Sequence, residues 1–266
     1  MECTAGIHTK GVRKMCRMVA FASAVPRDAA PFLGHLARFC ESGNLVARWK
    51  KHDGGNHPDG WGIAYRQEGE IRAVRSGKPA ASDPLLSQLA IRTDRFIGHV
   101  RFASNPETVH AGNSHPFIAS GIALAHNGTF YGMIGGEGDA RRVSDTLVFL
   151  ELLAARWKDR TLQGLESVLR EALSEGELVG EYSAANLLIA AGDRLFALRR
   201  FRRDPDYYTL YLSERDGHPV VASQPLDTGD GWRLLEDGEL VDLDPAGVRS
   251  VLLPSRGASA ATRLPQ

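Results

Sequence analysis

Cys16, the Asn127-Gly128 pair, Arg101 and Asp145 are residue types that together make an amide-cleaving site. A thiolate attacks a carbonyl carbon, and the thiol needs a base to take its proton. A free α-amine, with a pKa of ~7.7–8.0, is partly neutral near pH 7 and can take that proton directly or through water. A peptide nitrogen has no basic lone pair and cannot. The Met15-Cys16 junction therefore matters most, because a chain shortened to begin at Cys16 would carry nucleophile and base on one residue. A side-chain amide and a backbone N–H can hold the oxyanion that follows attack. A guanidinium fork matches a carboxylate in bidentate geometry.

Each residue also has an ordinary reading. A buried cysteine behaves as a small hydrophobe. Asn-Gly is the strongest short hairpin-turn signal. An aspartate suits the first turn of a helix, and an arginine a surface ion pair.

These side chains need elements to position them. Cys16 to Ala22 reads as a buried first strand, followed by a helix in which Phe32, Leu33, Leu36 and Phe39 recur at helical spacing behind Pro31. Residues 51–60, with Gly54, Gly55, Pro58 and Gly60, form a loop. Trp61 to Tyr65, Ile71 to Arg75, Phe96 to Ala103 and Ile122 to His126 read as strands, with a short helix at Pro84 to Ile91. Arg101 thus falls on a strand. Ser144 opens a helix running to about Lys158, with Leu147, Leu150, Leu153, Ala154 and Trp157 on one face. Thr161 starts another that buries Leu162, Leu165, Val168, Leu169 and Leu173. Strand signals return at Ala185 to Ala191, Leu195 to Arg199, Tyr207 to Ser213 and Val220 to Ala222. Strands, two helices and strands again predict one α+β domain over residues 16–253. Residues 1–15 read as an extension or a start assigned too far upstream, and residues 254–266 as a disordered tail.

Lys+Arg and Asp+Glu both number 32 in 266 residues, so the chain lacks the basic footprint of a nucleic-acid binder and any general attraction to anionic membranes. Three widely spaced cysteines make no disulfide framework and suit a reducing, cytoplasmic setting. No apolar run reaches the ~18 residues of a membrane span. Histidines are dense between His52 and His126, but no His-Glu-x-x-His or Cys-x-x-Cys spacing points to a metal. His99 and His126 read as satisfied structural histidines. No phosphate loop or organic cofactor site is apparent.

In order, the motifs are Met15-Cys16, Asp59-Gly60-Trp61-Gly62-Ile63-Ala64, Gly98 to Ser104 around Arg101, Asn113-Ser114-His115-Pro116-Phe117, Ala125-His126-Asn127-Gly128 and Ser144-Asp145-Thr146. This series resembles the glutaminase domain of class II (N-terminal-nucleophile) glutamine amidotransferases from Cys16 to about residue 240. The Asp59 to Ala64 motif is similar to that of the stand-alone members, which include the ergothioneine-pathway γ-glutamyl amidase. The resemblance implies a four-layer αββα sandwich, with Cys16 as nucleophile. It implies that Asn127 gives its side-chain amide and Gly128 its backbone N–H to the oxyanion. Arg101 is assigned to the substrate α-carboxylate, Asp145 to its α-ammonium, and His115 to the pocket wall. Related synthases often have Trp-Ala-Thr where this chain has Phe102-Ala103-Ser104, and glutamate where it has Leu147.

The implied reaction is cleavage of glutamine or another γ-glutamyl amide through a γ-glutamyl thioester, without a cofactor. The chain ends too soon for a fused synthase domain, so it is expected to hydrolyse its own small-molecule γ-glutamyl substrate or to feed ammonia to a separate synthase subunit. A second reading keeps residues 1–15 and makes the protein a catalytically silent glutamine-binding or regulatory domain. A third, an amidase of the bile-salt-hydrolase type, lacks this order of arginine, Asn-Gly and Ser-Asp-Thr.

Overall fold

Alternation along two strands explains the architecture. In the first, Arg17–Asp28 (β1), Val19 and Phe21 face one way while Met18, Ala20 and Ala22 face the other, and all five are buried. In Ile122–Phe130 (β6), Ile122 and Leu124 face one way and Ala123 and Ala125 the other. Strands buried on both faces belong to sheets covered on both sides. The computed structural model describes residues 16–41, 57–103, 106–131, 133, 144–173 and 179–254. The expectations for residues 1–15, 51–56, Ser104 and 255–266 lie outside the described residues.

Numbered in chain order, the remaining strands are Trp61–Gln67 (β2), Glu70–Ser76 (β3), Arg92–Val100 (β4), Phe117–Ala119 (β5), Tyr182–Ala191 (β7), Arg194–Leu198 (β8), Tyr211–Ser213 (β9), Val220–Ala222 (β10), Trp232–Leu234 (β11), Glu239–Asp242 (β12) and Arg249–Leu252 (β13). They form two antiparallel sheets, ordered β11-β9-β10-β1-β4-β2-β3 and β13-β12-β8-β7-β6-β5. The helices are Ala30–Glu41 (α1), Pro84–Ser87 (α2), Asp145–Arg156 (α3) and Leu162–Leu173 (α4). α1 packs Phe32, Leu33, Leu36 and Phe39 on the outer face of the first sheet. α3 and α4 cover the outer face of the second with Phe149, Leu150, Leu153, Leu165 and Leu169. Between the sheets lies a layer rich in alanine, including Ala20, Ala64, Ala123, Ala125 and Ala190. The result is a helix–sheet–sheet–helix sandwich, the α+β arrangement expected. No helix among the described residues is long and apolar enough to cross a membrane.

Several boundaries differ from expectation. β1 runs on to Asp28, and the Pro84 helix stops at Ser87. Tyr207 and Tyr208 lie in a turn rather than a strand, because their N–H groups bond back to the Asp204 carbonyl, a residue at φ 60°. β4 ends at Val100, which puts Arg101 one residue beyond the strand. In α3, Phe149 is buried where Leu147 is only partly so. Trp157 closes that helix, fully buried, 5.4 Å edge-on from Phe196, its indole N–H donating to the Thr161 carbonyl at 3.0 Å. Trp157→Ala is expected to cost ~3–5 kcal/mol. A lower urea midpoint at unchanged slope would show it.

Candidate active site

Cys16 sits at the start of β1, one residue before the Arg17↔Val100 pairing with β4. Continuing the alternation, Cys16 follows Met18 and Ala20 toward the space between the sheets, and Arg101 follows Ile97 and His99. From the opposite sheet, Asn127 continues the inward series of Ala123 and Ala125. The two sheets meet where the Cys16 nitrogen donates to Asn127 Oδ1 at 3.2 Å. Asn127 is buried, and its Nδ2 has no hydrogen-bond partner among the described residues. A buried amide donor left unmade costs ~1–3 kcal/mol, so its spare capacity beside a thiol calls for a partner such as an incoming oxygen.

The Asn-Gly pair is not a hairpin turn. Asn127 and Gly128 lie within β6, paired with Asn186 and Ala185, and the register shifts only after Gly128. Gly128 has φ +152°, and a Cβ there would lie 2.0 Å from the Ala184 carbonyl oxygen, so no other residue fits. A strand irregularity thus stands here in place of the tight turn expected.

Burial pushes the Cys16 thiol above its usual range. A hydrogen bond from the Phe102 backbone N–H and the positive charges of Arg101 and Arg17 pull it back down, while Asp59 pushes it up. Arg17 is itself lowered to about 10 by burial, and it donates to Gln224 Oε1 at 3.1 Å and to the Cys16 carbonyl at 3.3 Å. Arg101 is partly buried, and its guanidinium is held by Thr108, through the carbonyl at 2.8 Å and the hydroxyl at 2.7 Å. Burial lowers its pKa, against the opposing influence of Cys16, Asp59 and Asp145. Asp59 also meets Arg101 through the backbone, its N–H donating to the Arg101 carbonyl at 3.2 Å.

Asp145 opens α3. Its carboxylate accepts from Phe130 N–H at 2.7 Å and from Thr146 N–H at 2.8 Å. The Thr146 hydroxyl at 3.3 Å and the Ser144 hydroxyl at 3.4 Å also donate to it, so Oδ1 takes three donors and Oδ2 only the Phe130 N–H. The helix-terminal role thus falls on Oδ1. Thr146 also faces Nδ1 of His126 at 2.9 Å, while Nε2 of that ring meets the Ala184 carbonyl at 3.0 Å. His126 is thus satisfied, as expected. His115 is buried and lies with Nδ1 3.0 Å from the His126 carbonyl, bracing the residue before Asn127. Burial, with His99 and His126 beside it, holds its pKa well below the usual imidazole range. His99 departs from expectation. Its ring is 4.6 Å from that of His115, and neither of its nitrogens has a hydrogen-bond partner among the described residues. Burial pushes it down to about 3, so it is neutral near pH 7. Among the described residues no three His, Cys, Asp or Glu are placed to hold a metal ion.

The structure therefore gathers Cys16, Arg101, His115, Asn127, Gly128 and Asp145 at one end of the sandwich. Sequence reasoning missed the Phe102 N–H at the thiol, Thr108 behind Arg101 and Phe130 behind Asp145. Two of these act through backbone and leave no side-chain signature.

Two antiparallel sheets between helical layers, with a cysteine opening a central strand, define an N-terminal-nucleophile hydrolase fold. A solved structure supports this: glutamine phosphoribosylpyrophosphate amidotransferase from B. subtilis superposes over 90% of this chain and 49% of its own, with a TM-score of 0.61 at 19% identity. The family model for class-II glutamine amidotransferases matches residues 42–212. The chain belongs to that family. It is 30% identical over 238 residues to the gamma-glutamyl-hercynylcysteine sulfoxide hydrolase of Mycolicibacterium smegmatis, covering 88% of this chain and 98% of the relative. It is 28% identical over 228 residues to the uncharacterized protein MJ1515 of Methanocaldococcus jannaschii, covering 72% of this chain and 62% of that one. The chain thus spans less than two thirds of the archaeal protein and about half of the B. subtilis enzyme.

Proposed function

We propose that the protein is a cysteine amidohydrolase that cleaves glutamine or another small γ-glutamyl amide. The observation that carries this reading is the contact between the Cys16 nitrogen and Asn127 Oδ1 across the two sheets, with the buried Asn127 Nδ2 donor without a partner among the described residues. The Cys16 thiolate attacks the δ-carbonyl, and Asn127 Nδ2 and the Gly128 N–H receive the oxyanion. The α-amine of Cys16 takes the thiol proton and passes it to the leaving nitrogen. Ammonia or an amine departs, and water resolves the γ-glutamyl thioester to glutamate. Arg101 takes the α-carboxylate, Asp145 the α-ammonium, and His115 shapes the wall. The active form begins at Cys16, and residues 16–253 are the catalytic domain. A relative named for hydrolysing a gamma-glutamyl compound, matched over nearly its whole length, favours hydrolysis over transfer of ammonia to another subunit. The reduced thiol that the reaction needs fits a cytoplasmic setting.

Recognition tests the reading. Glutamine should bind, and blocking either its α-amine or its α-carboxylate should weaken binding more than about tenfold, because breaking a buried hydrogen-bonded charge pair costs ~2–5 kcal/mol. Arg101→Ala should lose the preference for a free carboxylate while keeping that for a free amine. Equal affinity for glutamine and its N-acetylated, amidated analogue would overturn the clamp.

A further inference from the structure

Asp59 grips the backbone next to the thiol from two sides. Beyond the paired residues Trp61 and Val100, the chains of β2 and β4 stay zipped: Arg101 N–H donates to the Gly60 carbonyl at 2.8 Å, and Asp59 N–H to the Arg101 carbonyl at 3.2 Å. The Asp59 carboxylate then accepts the Ala103 N–H at 2.8 Å. Gly60 fixes this approach. It has φ +115°, and a Cβ there would lie 2.5 Å from Ser114 Oγ and 2.7 Å from the Ser76 carbonyl oxygen.

The peptide between Arg101 and Phe102 is a flat unit whose C=O and N–H point in opposite directions. Its carbonyl is held by Asp59 N–H on one side. Its N–H, on the other, faces the β1 side of the sheet, where Cys16 precedes the Arg17↔Val100 pair by one residue, and there it favours the Cys16 thiolate. We infer that Asp59 is a positioning residue: by holding the Arg101 carbonyl and the Ala103 N–H, it aims the Phe102 N–H at Cys16 Sγ and so presents the nucleophile. The inference rests on the reading of Cys16 as the nucleophile.

Asp59 has two opposed effects on the thiol. Its negative charge disfavours the thiolate, whereas the Phe102 N–H that it helps hold favours the thiolate; the N–H lies on the β1 side of the segment, where Cys16 is, whereas the carboxylate charge is offset by the Ala103 N–H that it accepts. Neutralising the side chain and deleting it should therefore act with opposite sign. Asn keeps an oxygen for the Ala103 N–H and removes only the charge. Ala removes both, and the 101–103 segment loses its side-chain anchor.

The experiment is the rate of Cys16 alkylation by iodoacetamide from about pH 5 to pH 10, a range that spans ordinary thiol ionisation, read by peptide mass spectrometry without substrate. Asp59→Asn should lower the apparent thiol pKa below that of the wild type, with a smaller loss of kcat than in Asp59→Ala. Asp59→Ala should raise that pKa, and kcat should fall about tenfold to a hundredfold with a smaller change in KM, as for a misplaced reacting group. Where the alanine variant does not accumulate, Asp59→Gln serves, since the extra methylene displaces the acceptor, and the same upward shift is expected. Downward shifts in both variants would reduce Asp59 to a point charge and overturn the inference, as would two unchanged profiles. Opposite shifts in a wild-type background that hydrolyses no γ-glutamyl amide would uphold the positioning role and defeat the proposed function instead.

Discussion

Cys16→Ala is expected to remove γ-glutamyl hydrolysis while leaving the fold and glutamine binding in place. Losing the nucleophile of an acyl-transfer site costs about 10⁶-fold in turnover. The fold should survive because Cys16 precedes β1 and is only partly buried, so truncation creates little cavity. The same chemistry sets a condition on the terminus. The Cys16 nitrogen already lies 3.2 Å from Asn127 Oδ1, but it becomes a base only when freed from Met15. Losing a general base costs ~10²–10⁴ in rate. Intact mass of the active protein should therefore correspond to a chain starting at Cys16, and a glutamine-like electrophile should label Cys16 and leave the buried Cys40 unmodified. Full activity in a protein that retains residues 1–15, or in Cys16→Ala, would overturn the assignment.

Asn127→Asp is expected to cost about 10²–10³ in kcat, the usual loss for one oxyanion donor. The substitution keeps an oxygen to accept from the Cys16 nitrogen and removes the Nδ2 donor. It also sets a negative charge where the oxyanion must form. KM should change much less, because the donor acts mainly on the transition state. Single-turnover kinetics with a γ-glutamyl amide, showing slow thioester formation, would confirm the role. A kcat within the wild-type range would show that the unpartnered Asn127 donor serves something else.

Much of this was legible in the sequence because side-chain pattern and side-chain chemistry are sequence properties. Leu162, Leu165, Val168, Leu169 and Leu173 all face the core from α4, as their spacing predicted. Cys16, Arg101, Asn127 and Asp145 could be named as candidates because thiol, guanidinium, amide and carboxylate each advertise a reactivity. Backbone geometry hid the rest. The Asn127-Gly128 pair reads as a turn by composition, yet its geometry comes from a register shift that depends on the partner strand β7. β5 and β11 are three residues each, too short for alternation to mark them. Tyr207 and Tyr208 carry strong strand preference, and the carbonyl of Asp204 overrides it. The missing partners of His99 could not be foreseen either, since burial on both faces of a strand end is a property of packing.

The alanines between the sheets have a consequence for how the site fails. Cys16 and Asn127 are carried by different sheets, so no single element holds them in register. Their separation is set by the thickness of the layer beneath, where Ala20, Ala125 and Ala190 contribute one methyl group each. A close-packed layer compresses little, so its thickness follows the volume of these side chains. The contact between Cys16 and Asn127 is thus tied to that thickness, and a larger side chain among the alanines would part the two residues while every strand and helix remains intact.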